Sequence, residues 1–422
     1  MCLRLLRTLS FAFALTSGIT SVHAADFDAA AKATNELGID LYRQLATGDE
    51  NLCLSPYSIQ SALAMTFAGA DGETRTEMAR VLHFSNDDSI HGSFASLQRS
   101  LDEMAKKTAK IADQAKKMGG PSEPITLAIA NRLFAQTGYD FRENFRELVK
   151  KFYGAPFEPL DFRKNPDRER QHINDWVAKQ TRDRIRALIP PKGVDATTRL
   201  VLANAIYVKA PWANEFADFF TKPKPFHTRG GTAVDVPTMN NRKSFGYAKR
   251  DGYTAISLPY TGSELQFLAL LPDETNGLPK LESKLSADML AQCAKLEAHD
   301  VDLYLPKFKF EPPTITLADK LKALGMKSAF DDPPGSANFD KIAPRKPNDY
   351  LTISEVFHKT FIAVDEKGTE AAAATAVSMM VGTAMIKKPE PIVVKVDHPF
   401  IYAIQQVPSG ACLFIGRVSD PR

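Results

Sequence analysis

Residues 366–380, EKGTEAAAATAVSMM, limit the choices open to this chain more than any other segment. Read with a period of two, one face carries Thr369, Ala371, Ala373, Thr375, Val377 and Met379. The other carries Glu370, Ala372, Ala374, Ala376, Ser378 and Met380. The first face is small where it begins and apolar where it ends, which suits a strand slipping between two existing strands. Helix propensity argues the other way. Alanine is the best helix former and is depleted in strands, and Thr369 could cap an exposed Ala-rich turn. Local pattern alone favours the helix, so the rest of the chain has to decide.

The 422 residues are 44% hydrophobic and 24% charged, ordinary for a globular protein with a large core. The 53 basic residues nearly cancel the 50 acidic ones, leaving no footprint for nucleic acid. No Gly/Ser-rich or Pro-rich linker divides the chain and no repeat recurs, so a single domain over 25–422 is expected. Residues 1–24 read as a cleavable secretory signal: Arg4 and Arg7, an apolar run over 9–16, then Val22-His23-Ala24 as the cleavage site. That run is shorter than the roughly 20 apolar residues needed to span a bilayer, and no later segment is long and apolar enough to cross one. An exported protein, extracellular or periplasmic and not membrane-bound, is the expectation. Cys53, Cys293 and Cys412 outlast cleavage. Their odd number and wide spacing read as buried free thiols, with a Cys53–Cys412 bridge as the alternative.

Helical periodicity marks residues 26–45, 56–70 (Ser55 as cap, Pro56 in the first turn) and 74–82. Residues 100–117 form a Lys-rich helix. Its Lys106, Lys107, Lys110, Lys116 and Lys117 read as a solvated face, with a polyanion site as the sharper alternative. Apolar runs at 125–136 and 200–208 suit buried strands, and 253–271 a hairpin turning at Thr261-Gly262-Ser263. Residues 301–310 alternate as one strand, and 316–324 form a helix stopped by Gly325. Residues 351–364 form a strand leading into 366–380, and 392–396, 400–405 and 411–418 close the chain as three more. Helix-rich and strand-rich regions segregate, which points to an α+β fold.

Catalytic signatures do not emerge. There is no G-x-S-x-G, H-E-x-x-H, phosphate-binding loop, dinucleotide glycine fingerprint or C-x-x-C. The eight histidines lack metal-helix spacing, so no metal or other cofactor is expected. Ser55 and His358 could make half of a nucleophile pair, without an acid or an elbow to complete it. An enzyme is not expected.

Six stretches, in order, resemble the serpin family. NLCLSPYSIQSALAMTFAGADGETRTEM (51–78) is similar to that family's short strand entering a helix, and RLVLANAIYVKAPW (199–212) to a strand of its central sheet. LPKFKFE (305–311), LGMKSAF (324–330), DEKGTEAAAATA (365–376) and VDHPFIYAI (396–404) with FIGRVSDP (414–421) continue the series. The resemblance implies three β-sheets, about nine helices and an exposed reactive-centre loop over 366–391. It places Ser55, Pro56, Ser58, Asn204 and His358 in a polar cluster beneath the central sheet, the shutter. It places Trp212 at the top of that sheet, the breach, and pairs Lys307 with Glu366 as a surface ion pair at the loop base. Glu366, Lys367, Gly368, Thr369, Glu370, Ala371, Ala372, Ala373 and Ala374 become the hinge about which the loop enters the sheet.

The function this implies is suicide inhibition of serine proteases, by a monomer that traps the acyl-enzyme as its loop inserts. The hinge is free of bulk: Gly368 gives the pivot its freedom, and the alanines add nothing that must be fitted. The family's spacing from the hinge glutamate places the reactive bond at Gly382–Thr383, with Met380, Val381 and Met385 as alternates. Counting back from His398-Pro399-Phe400 falls near Lys388, but extra residues before the bond would leave the inserted strand slack. The small and apolar neighbours suit elastase-, subtilisin- or chymotrypsin-like enzymes. Two alternatives remain: a non-inhibitory serpin acting as a binding or carrier protein, and a hydrolase using Ser55 and His358.

Overall fold

A computed structural model describes residues 28–118, 123–347, 349–370 and 390–422. The nine helices found among them are α1 (Asp28–Leu45), α2 (Pro56–Phe67), α3 (Gly72–Val81), α4 (Ser89–Lys117), α5 (Glu143–Tyr153), α6 (Pro166–Gln180), α7 (Leu278–Lys284), α8 (Ala287–Cys293) and α9 (Ala318–Ala323). The strands begin with β1 (Leu52–Leu54), β2 (Thr126–Gln136), β3 (Phe157–Leu160), β4 (Leu200–Pro211), β5 (Lys222–His227), β6 (Ala233–Arg250), β7 (Tyr253–Pro259), β8 (Leu265–Pro272) and β9 (Ala298–Pro306). They continue with β10 (Phe308–Phe310), β11 (Ile315–Thr316), β12 (Phe357–His358), β13 (Ile362–Asp365), β14 (Gly368–Thr369), β15 (Ile392–Lys395), β16 (Phe400–Gln406) and β17 (Cys412–Val418).

Three sheets result: a six-stranded sheet ordered β10-β13-β14-β4-β2-β3, a nine-stranded one, and the two-stranded β11-β12. In the larger sheet every residue of β8, β16 and β17 is buried, as expected of strands covered on both sides. The main core joins that sheet to α1, α2 and α4, with Leu37, Tyr57, Phe67, Phe94, Phe267 and Tyr402 among its members. α2 starts where the sequence says it should: Ser55 Oγ accepts the Ser58 N–H at 3.2 Å, and Pro56 occupies the first turn. α4 buries Ile90, Phe94, Leu97, Leu101 and Met104 along one stripe, which leaves its lysines to solvent.

Four sequence expectations need correcting. The Lys-rich helix begins at Ser89, not at residue 100, because Ile90, Phe94 and Leu97 extend the same apolar stripe backwards. Helices α5 to α8 and the 18-residue β6 went unread. The 301–310 run is two strands, β9 and β10, in different sheets, with the crossing at Lys307. Most significantly, 351–364 is not a continuous strand. Residues 351–356 join no ladder, and their polar groups turn to neighbours: Ile353 N–H donates to Ala329 O, and Glu355 Oε1 accepts from Leu317 N and Ala318 N at the start of α9. Among the described residues no strand lies beside them to pair with, and a cavity separates them from β4.

Cys53, Cys293 and Cys412 are free and buried, and burial raises the Cys53 and Cys293 thiols to about 11. Where β1 joins β17, Gly416 lies so close to its neighbour that a Cβ would stand 1.9 Å from Leu52 O and 2.5 Å from the Tyr402 hydroxyl. Gly416→Ala is therefore expected to lose about 2–4 kcal/mol of stability, read as a lowered urea midpoint at unchanged slope.

Candidate functional site

The site is built where β4, β13 and the first residues of the 366–380 segment meet. β14 pairs antiparallel with both β13 (Val364↔Thr369) and β4 (Thr369↔Ala210). Among the described residues no ladder joins β4 directly to β13; the two residues of β14 stand between them. The local sequence makes this turn. Asp365 Oδ1 accepts the N–H groups of Lys367 and Gly368 at 2.9 and 3.2 Å, folding the chain back on itself. Gly368 then passes so close to β4 that a Cβ would lie 2.1 Å from Ala210 O, a backbone atom with no freedom to yield.

Trp212 clamps this turn. Its backbone N–H donates to Lys367 O and its indole N–H to Asp365 O, both at 2.9 Å. The ring is buried and stacks on Tyr260, with centroids 4.6 Å apart and planes 4° from parallel. Thr369 is buried and its hydroxyl bonds the Tyr260 hydroxyl, so the residue enters the sheet with its polar group satisfied.

Two glutamates sit on either side of β14 with different support. Glu366 is buried; Lys307 Nζ lies 2.6 Å from one oxygen and Thr221 Oγ1 donates to the other at 2.7 Å. Burial works to raise its carboxyl, but Lys307 and Thr221 outweigh it and hold the group below its ordinary value. The surface ion pair expected from sequence is thus a half-buried one, since Glu366 lies against Phe216, whose N–H donates to Glu366 O. Glu370 meets Arg184 through one oxygen; the other is buried, with the Tyr207 hydroxyl beside the carboxylate. Burial raises its carboxyl despite Arg184. Its φ of +49° is a left-handed conformation that costs a non-glycine residue roughly 1 kcal/mol or more.

Lower down, Ser55, Pro56, Ser58 and His358 are buried together. Ser55 N–H donates to His358 Nε2 at 3.0 Å, while Ser55 Oγ donates to Leu413 O at 2.7 Å. The histidine thus serves a backbone amide, and the hydroxyl is engaged elsewhere, which removes the arrangement a nucleophile pair needs. Beside them a cavity of about 530 Å³ lies between residues 200–203 of β4 and residues 351–358, with Ser58, Ile59 and Leu63 of α2 as its floor. Asn204 takes its place in β4 opposite Asn131.

Trp212, Lys307, Glu366, Lys367, Gly368, Thr369 and Glu370 are brought together at the top of the sheet, and Ser55, Pro56, Ser58 and His358 lower down. Ala371, Ala372, Ala373, Ala374, Met380, Val381, Gly382, Thr383, Met385 and the 1–24 segment lie outside the described residues. Sequence reasoning missed Thr221, Tyr260 and Arg184. Only Tyr260 gave a signal, as the aromatic that ends the first strand of the predicted hairpin.

Comparison with known proteins agrees with this geometry. The family model described as "Serpin (serine protease inhibitor)" matches residues 32–421. An uncharacterized serpin-like protein of Thermococcus kodakarensis is 39% identical, covering 92% of this chain and 85% of its own length. The leukocyte elastase inhibitor of Equus caballus is 35% identical over 92% of this chain and 98% of its own. The solved structure "Cleaved Serpin 42Da" superposes with a TM-score of 0.77 at 30% identity, over 94% of this chain and all of that one.

Burial holds the His358 imidazole down at about 4, from an ordinary 6.5. His91, buried with Nδ1 2.6 Å from the Tyr153 hydroxyl, is likewise held at about 4. Between pH 6.5 and 4 the unfolded chain takes up protons these groups refuse while folded, so stability falls as pH falls through that window. Glu370 and Asp365, raised by burial, act in the opposite sense nearer the ordinary carboxylate range. Urea unfolding at stepped pH isolates the histidine. His358→Gln keeps an acceptor for Ser55 N–H, and its stability is expected to fall less between pH 6.5 and 4 than that of the wild type.

Proposed function

The chain belongs to the serpin family, and we propose that it is an exported suicide-substrate inhibitor of serine proteases. The observation that carries the reading is β14 itself: the hinge already enters between β4 and β13, antiparallel to both. Continued in that register, residue 379 comes opposite Leu200, the first residue of β4, and residue 382 opposite Leu351. Residues 351–356, which join no ladder as they stand, would gain one. Thr369 faces Tyr260 in the core, so Ala371, Ala373, Thr375, Val377 and Met379 would follow onto that face, and its apolar end would fall at the 530 Å³ cavity. The opposite face starts with Glu370 and continues with small residues as far as Ser378, then Met380.

The same register supports Gly382–Thr383 as the reactive bond, because a strand drawn taut to Leu351 ends there. A protease serine attacks the Gly382 carbonyl, and the Thr383 amine leaves with residues 383–422. Residues up to Gly382, still esterified to the enzyme, fill the slot. A strand from Thr369 to Gly382 is about 45 Å long at ~3.4 Å per residue, so the protease travels the length of the sheet. That displacement removes the attacking water and the oxyanion site from register before the ester hydrolyses. The small and apolar neighbours Met380, Val381 and Ala384 support elastase-, subtilisin- or chymotrypsin-like targets, and the relative named leukocyte elastase inhibitor points the same way. Residues 1–24 support export, the protein acting as a monomer outside the cytoplasm or in a periplasm.

Mixing with such a protease is expected to give a covalent complex that survives boiling in detergent. Mass spectrometry of the released fragment should then find a new N-terminus from cleavage within 380–385. Cleaved protein without complex, across a panel of serine proteases, would refute trapping; a terminus at 388 or 389, from cleavage after Lys387 or Lys388, would refute the bond assignment.

A further inference from the structure

Four large hydrophobic residues are conspicuously exposed among the described residues, and three stand at the two roots of the 371–389 segment. Phe219 (76% exposed) and Phe220 (54%) lie between Phe216 and Thr221, the two residues that bond Glu366 at the segment's start. Val393 (55%) is on β15, just past its end. Single exposed apolar residues need no explanation, but two adjacent phenylalanines held edge to face, 5.4 Å between centroids, and away from the core, are unusual.

A strip of contacts joins the roots. Lys222 Nζ sits 5.0 Å above the Phe219 ring, and Lys224 Nζ 5.0 Å above the Tyr304 ring. Tyr304 lies in β9 opposite Lys395, with Asp302 opposite Val393. Lys222, Lys224 and Lys395 have no carboxylate partner among the described residues; of the acids nearby, Asp302 accepts from Asn240, Glu366 is engaged by Lys307 and Thr221, and Asp218 and Asp235 stand on the adjoining chain. The surface is therefore aromatic at one end, aliphatic at the other and cationic between.

We propose that this strip is a docking surface for the body of the attacking serine protease, matched to an apolar area with carboxylates beside the protease's active site. The proposal rests on the reading that serine proteases attack the 371–389 segment. The occupant follows from position: an enzyme acylated within that segment is tethered between the two roots where these side chains are exposed. Exposed aromatics of this kind supply the strong contacts of protein interfaces, and unpaired lysines speed encounter with a negative surface.

The test measures the second-order rate at which intact protein is consumed, whether by trapping or by plain cleavage, in wild type, Phe219→Ser/Phe220→Ser, Phe219→Leu/Phe220→Leu and Lys222→Ala/Lys224→Ala/Lys395→Ala. The serine double variant is expected to lose about tenfold or more in rate, with thermal stability and the ratio of complex to cleaved product unchanged. The leucine pair should recover most of the loss. The lysine variant should flatten the dependence of rate on salt. Equal rates for wild type and the serine variant overturn the proposal. So does a change confined to thermal stability or to the ratio, because the aromatics would then be serving the hinge. If wild type is cleaved without complex, the trapping reading falls while the cleavage rates still judge the surface; if no serine protease consumes the protein, both fall.

Discussion

Two residues, Gly368 and Thr369, separate the two halves of the central sheet, and much of the molecule is arranged around that fact. A β-ladder is stable when its strands are paired along their length, yet β4 runs for 12 residues with β14 beside only its last two on that flank. The chain across the gap bonds elsewhere: Ile353 N–H donates to Ala329 O, Val356 O accepts the Leu317 N–H, and the Glu355 carboxylate accepts two N–H groups at the start of α9. Among the described residues, the edge of β4 from Leu200 to Lys209 on that flank has no partner strand. Gly368 fits because any side chain would strike Ala210 O, and Thr369 because its hydroxyl shares a hydrogen bond with the Tyr260 hydroxyl inside the core.

The two carboxylates flanking that wedge are held differently. Glu366 has both oxygens satisfied and its carboxyl held low, so it anchors the outer end of the turn. Glu370 has Arg184 and the Tyr207 hydroxyl beside it, yet burial still raises its carboxyl, and its backbone is left-handed besides. The residue after the wedge is therefore the uncomfortable one. Lower down, His358 Nε2 accepts a hydrogen bond from the Ser55 N–H, which requires a neutral imidazole there. In the proposed mechanism the unpaired β4 edge supplies the driving force for trapping, and these contacts set when it is released.

Much of this was legible in the chain. The Ser55-Pro56 helix start, the hairpin turning at 261–263 and the closing strands follow from turn chemistry and alternation. In the 366–380 segment the alternation was the better guide at its start, because helix propensity describes an isolated peptide and here β4 and β13 provide the partners. Trp212, Lys307 and His358 could be placed only through family resemblance. The contacts that hold the wedge were out of reach: Arg184–Glu370, Thr221–Glu366 and Tyr260–Thr369 join residues 186, 145 and 109 positions apart. No local pattern encodes such distances. The alternation at 351–356 is that of a strand, but among the described residues no strand lies beside it to pair with.

Trapping of this kind requires that the intact chain be arrested short of its most stable arrangement. Heat unfolding of intact protein beside protein nicked once within 380–385 tests that requirement most directly. A melting temperature raised by tens of degrees in the nicked form is the predicted result, because the freed segment completes the sheet. Equal melting temperatures, with residues 371–382 of the nicked form still open to a second protease, would contradict it.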